Sequence, residues 1–125
     1  MKANELKVTD LMVGDWLMFN GKPCQVKGLH NDDTVTFTGY RSMFYLIDAE
    51  PIPITPEILE KNGLENDPLG CYFDEDKQCE LEISSTDKGV YWTINYNEYG
   101  IVKLQYVHEL QHALKLCGIE KEIKV

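Results

Sequence analysis

The residues best placed by type and spacing to do chemistry are His108-Glu109-Leu110-Gln111-His112. Two histidines at i and i+4 stand on one helical face and can share a zinc ion, while the glutamate beside them can activate a metal-bound water as general base. The chemistry requires a helix, and the apolar spacing from about 105 to 117 predicts one independently. A catalytic zinc also takes a third protein ligand. Lys115 and Gly118 stand where an HExxHxxGxxH pattern has Gly and His, and only Glu120 and Glu122 follow as carboxylates. At about 100° per residue, His108 and His112 average about 180° from the centre of the apolar stripe of Tyr106, Val107, Leu110, Ala113, Leu114 and Cys117. A helix that turns this stripe to a core turns both imidazoles to solvent. The expected assignment is therefore no catalytic residue, no metal and no cofactor. The alternative keeps zinc on His108 and His112 with Glu109 as base.

Other constellations are weaker. Cys71, Cys79, His108 and His112 have the residue types of a structural zinc site, but their spacing is unlike that of any zinc finger. The acidic stretch from Asp74 resembles half of a calcium loop, yet Cys79 and Ser85 stand where that loop wants Gly and Glu, so a solvated hairpin tip is expected. The four cysteines (Cys24, Cys71, Cys79, Cys117) form no CxxC pair, and reduced, partly buried thiols are expected. Tyr72, Phe73, Tyr91, Trp92, Tyr96, Tyr99 and Tyr106 gather in the second half, where core and sheet packing is the leading explanation.

Composition bounds the function class. A chain of 125 residues with 43% hydrophobic and 26% charged residues fits one compact domain. The formal charge of −9 disfavours nucleic-acid backbones and leaves a basic protein as the partner that charge would attract. Residues 63–125 carry 12 acids and 6 bases, whereas residues 1–62 carry 9 and 6, so no basic stripe exists for RNA. No apolar run approaches the roughly 20 residues of a membrane span, and Met1–Lys7 lacks a signal-peptide core, which leads to the expectation of a cytoplasmic protein.

The elements that position these residues read as follows. Gly14-Asp15 punctuates before a strand near 16–19, and Asn20-Gly21 marks a hairpin to a strand at 23–29. Val35 and Phe37 alternate with threonines as a half-buried strand, and Met43–Asp48 is a further extended run. Glu50–Thr55 is a proline-stiffened connector or edge strand. Thr55, Pro56 and Gly63 bracket a two-turn helix, and Glu65–Pro68 reads as a polar linker. Strands are expected at 69–73, 79–84, 90–96 and 100–104, with Leu81, Ile83, Val90, Trp92, Ile94 and Tyr96 inward. The fold class is α+β: an SH3-like small sheet or partial barrel over 1–55, then 56–125 as a short helix, a four-stranded antiparallel meander and a covering C-terminal helix.

Two stretches, Glu50–Leu64 and Lys103–Ile123, together with Lys2-Ala-Asn-Glu-Leu6 and Gly14-Asp15-Trp16, closely resemble a family of small uncharacterised proteins of phages, prophages and other mobile elements of gut anaerobes. In that resemblance the position of His112 need not be histidine, which makes the amphipathic helix the family pattern, and Lys7–Val13 is longer than the usual join. The resemblance implies no activity, because the family has none established. The expected function is a non-enzymatic interaction module with a protein partner. A minimal HExxH zinc peptidase is the alternative.

Overall fold

The structure is a computed structural model and describes residues 6–66, 72–74, 81–85, 92–96, 101–116, 118 and 122–125. It is α+β and divides into two compact units, Met1–Ile52 and Pro53–Val125.

In the first unit, β1 (Trp16–Phe19), β2 (Lys22–His30), β3 (Thr34–Phe37), β4 (Met43–Tyr45) and β5 (Ala49–Pro51) form an antiparallel sheet in the order β4-β3-β2-β1-β5. Asn20 and Gly21 both take positive φ, the pair of conformations a tight hairpin needs, and they set Phe19 opposite Lys22. Alternation buries Leu17 and Phe19 from β1 and Val35 and Phe37 from β3. Cys24, Val26, Leu46, Ala49 and Leu11 complete this core, each large apolar side chain contributing about 1.5–3 kcal/mol on burial. The extended run 43–48 is shorter as a strand than its apolar residues suggest. Leu46–Asp48 tightens into a 3-10 turn, which drops Leu46 into the core and swings β5 back to pair with β1.

Two carboxylates fix the loops of this unit. Asp15 is buried; its Oδ2 accepts from Met12 N at 2.8 Å and its carbonyl accepts from Val26 N at 2.8 Å, so Gly14-Asp15 ties the entry of β1 to β2. Asp33 holds positive φ, a conformation that costs a non-glycine residue free energy, and two bonds offset the cost. Its Oδ1 accepts from Val8 N at 3.0 Å, and its carbonyl accepts from Leu46 N at 2.9 Å.

The second unit begins with Pro53–Thr55 and α1 (Pro56–Lys61). The Thr55 side chain accepts from Ile58 N at 3.3 Å and Pro56 opens the helix, as the cap pattern predicts. Then follow β6 (Leu64–Asn66), β7 (Tyr72–Asp74), β8 (Leu81–Ser85), β9 (Trp92–Tyr96), β10 (Ile101–Leu104) and α2 (Val107–Leu116). The sheet is an antiparallel meander in the order β10-β9-β8-β7-β6. Its five strands correct the expected four. Leu64–Asn66, part of it assigned to a polar linker, pairs with β7 and sets Leu64 against Asp74 because Leu64 has a core to enter.

Trp92 is buried, with its indole N–H donating to Ile54 O at 3.0 Å. α1 lies against β6 and α2 against β10. Cys71, Cys79, Val90, Tyr91, Tyr99, Cys117, Glu120 and the expected hairpin tip past Asp74 lie outside the described residues. No helix among the described residues is long and apolar enough to cross a membrane.

Candidate functional site

The HExxH residues sit on the first turns of α2, as the periodicity predicts. Tyr106 precedes the helix, bridges Pro53, and its carbonyl accepts from Glu109 N at 3.0 Å and Leu110 N at 3.2 Å. Glu109 reaches back over this turn: its Oε1 accepts from Gln105 N and Tyr106 N, both at 2.9 Å. A glutamate three residues into a helix often satisfies the backbone N–H groups that the first turn leaves over, and its charge suits the positive end of the helix dipole. One oxygen of the carboxylate offered as general base thus holds the helix start.

The two imidazoles differ. His108 is buried, at 5% exposure, whereas His112 is half-buried. The expectation that both face solvent is corrected for His108. The Tyr106 ring, contributed by the residue ahead of the helix, stacks on it with centroids 5.9 Å apart and planes 6° apart. His112 lies edge-on to His108 at 5.8 Å, so the i, i+4 spacing does bring the two rings together. The donor set stops there: among the described residues no group of three or more His, Cys, Asp or Glu side chains converges. The resulting site is a Tyr106–His108 stack with His112 edge-on to it, over a capped helix start.

In the first unit the sequence reading identified β4 as extended but missed what it presents. Met43, Tyr45 and Ile47 are 61%, 63% and 64% exposed. The signal was available: Val35 points inward and pairs with Phe44, so the odd-numbered neighbours on β4 must point out. Behind this edge lies an aromatic cluster. Phe19 and Phe44 have centroids 4.5 Å apart, and Tyr40 meets Phe44 edge-on at 5.5 Å.

An open depression of about 430 Å³ is lined by Val8, Thr9, Leu29, His30 and Asn31. Among these lining residues His30 turns its Nε2 to 3.4 Å from Thr36 Oγ1.

No family model, curated protein or solved structure matches this chain.

Proposed function

We propose that the protein is a non-enzymatic accessory protein of a mobile element that acts in the cytoplasm by contact with a basic protein. The observation that carries the reading is the uneven placement of charge. Residues 53–125 hold 14 acids against 7 bases, while residues 1–52 hold 7 against 5. Glu57 and Glu60 on α1, Glu65 on β6 and Glu122 are all exposed, so this part of the excess is available to steer a cationic surface. The mobile-element assignment is supported by the sequence resemblance alone.

For the first unit we infer an SH3-like sheet. The order β4-β3-β2-β1-β5, with a 3-10 turn leading into a last strand that returns to the first, supports that reading. Such small sheets serve many binding functions, so the fold adds no substrate.

The test is capture on immobilised protein followed by elution with salt. The expected result is a basic partner whose retention falls as salt rises from about 50 to about 300 mM and falls again with the Glu57→Lys/Glu60→Lys variant. A partner indifferent to both salt and charge reversal, or no partner, defeats the reading.

A further inference from the structure

We propose that β4 is a self-association edge at which two copies of the chain pair antiparallel about a two-fold axis. Among the described residues β4 pairs with β3 alone, so its other edge presents backbone donors and acceptors to a further strand. Apolar side chains are exposed on it and just past it: Met43 and Tyr45 on β4 and Ile47 in the 3-10 turn that follows, with no charge between 42 and 47. Of the devices that guard such an edge, this segment has no lysine, proline or inward charge; its three-residue length is the one that it has.

The pattern of charge names the occupant. Residues 41–48 begin with exposed Arg41, continue uncharged, and end with exposed Asp48. A segment positive at one end and negative at the other complements an antiparallel copy of itself. A two-fold axis perpendicular to the sheet keeps outward residues facing the same way, so only two close registers exist. Centred on Phe44, Met43 meets the partner's Tyr45. Centred on Tyr45, the two Tyr45 rings meet. Either register runs the Arg41 end of one copy toward the Asp48 end of its partner. The first unit is also the nearer to neutral of the two, with 7 acids against 5 bases, so the net repulsion between copies is lowest there. This contact lies in residues 1–52 and does not depend on the basic partner proposed for residues 53–125.

A contact built on a three-residue edge is small, so the dimer belongs to the weak class and is sought up to about 300 μM chain. Sedimentation velocity across dilution is expected to show a reversible monomer–dimer equilibrium. Tyr45→Lys is expected to weaken it roughly tenfold or more with an unchanged circular dichroism spectrum and melting temperature. Arg41→Asp and Asp48→Arg are each expected to weaken the homodimer, while an equimolar mixture of the two variants recovers association as a heterodimer. A monomer at every concentration, a dimer indifferent to Tyr45→Lys, or a mixture no better than its components overturns the proposal.

Discussion

The Asn62 side chain pairs with the main chain of Lys124 as a strand would: Nδ2 donates to Lys124 O at 2.7 Å, and Oδ1 accepts from Lys124 N at 2.7 Å. The same Nδ2 donates to Ile58 O at 2.7 Å, so one amide ends α1 and anchors the last residues. Lys61 Nζ donates to Val125 O at 3.0 Å beside it, and Ile123 is buried at 4% exposure. The amide and the isoleucine act together, since the bonds fix the backbone whose side chain fills the core.

Asn62→Ala is expected to destabilise the protein by about 1–3 kcal/mol, because it removes a reciprocal pair and leaves main-chain groups to find water. Asn62→Asp keeps the acceptor and loses the donor, and falls between wild type and alanine. Denaturant titration measures the cost. Amide exchange at residues 122–125 separates local release from global unfolding, and equal exchange in wild type and Asn62→Ala would contradict the anchor.

Glu109 gives a second prediction. Its bonds to Gln105 N and Tyr106 N require an acceptor, not a charge, so Glu109→Gln is expected to cost about 0.5 kcal/mol and Glu109→Ala about 1–2 kcal/mol. Thermal melts of the two variants distinguish the roles. A general base predicts the reverse pattern: peptidase activity in the wild type lost in Glu109→Gln with stability unchanged, alongside stoichiometric zinc that disappears in His112→Ala. That outcome would replace the capping account.

What the sequence made legible was whatever local chemistry decides. Asn20-Gly21 named its hairpin because few other pairs tolerate two positive φ angles, and Thr55-Pro56 named a helix start because the cap lies in adjacent residues. The burial of His108 was not legible. A helical projection places it opposite the apolar stripe, and the ring that stacks on it comes from Tyr106, outside the helix whose periodicity was being read. Ile123 was missed for a related reason: Glu120, Lys121, Glu122 and Lys124 surround it with charge, and its burial depends on Asn62, some sixty residues earlier. β6 failed on composition, since Glu65 and Asn66 are poor strand formers held by pairing with β7.

Gly28 sits where β2 slips register against β3, between Val26 and Gly28, and a Cβ there would lie 2.7 Å from Thr36 Oγ1 and 3.3 Å from His30 Nε2. Both neighbours belong to the same sheet, so neither can retreat without moving backbone or a paired side chain. Gly28→Ala is expected to cost about 1–3 kcal/mol by overpacking. Adding Thr36→Ala removes the closest atom, so the double variant should recover part of that loss. A double-mutant cycle by urea denaturation checks this, and strictly additive costs would show that the strain lies elsewhere.

The final prediction concerns pH. Tyr40 holds its proton above the ordinary tyrosine value of 10.0, first through its hydrogen bond with the Cys24 side chain, then through the electrostatic effect of Cys24, and least through burial. Cys24 is itself buried, and its thiol donates to Lys22 O at 3.6 Å, which leaves the sulfur placed to accept from the phenol. The folded-state value exceeds the unfolded one, so the contribution to stability is fully present below about pH 10 and is lost as pH rises through the folded value. A phenolate absorbance titration of the wild type minus Tyr40→Phe isolates this group among the seven tyrosines. The difference curve should lie above the ordinary tyrosine range and return towards it in Cys24→Ala. Because Tyr40 meets Phe44 on β4, the same titration reports whether the aromatic cluster behind the exposed edge keeps its geometry in the Tyr45→Lys variant. An unshifted Tyr40 in the wild type would mean that the Cys24 contact does not persist in solution.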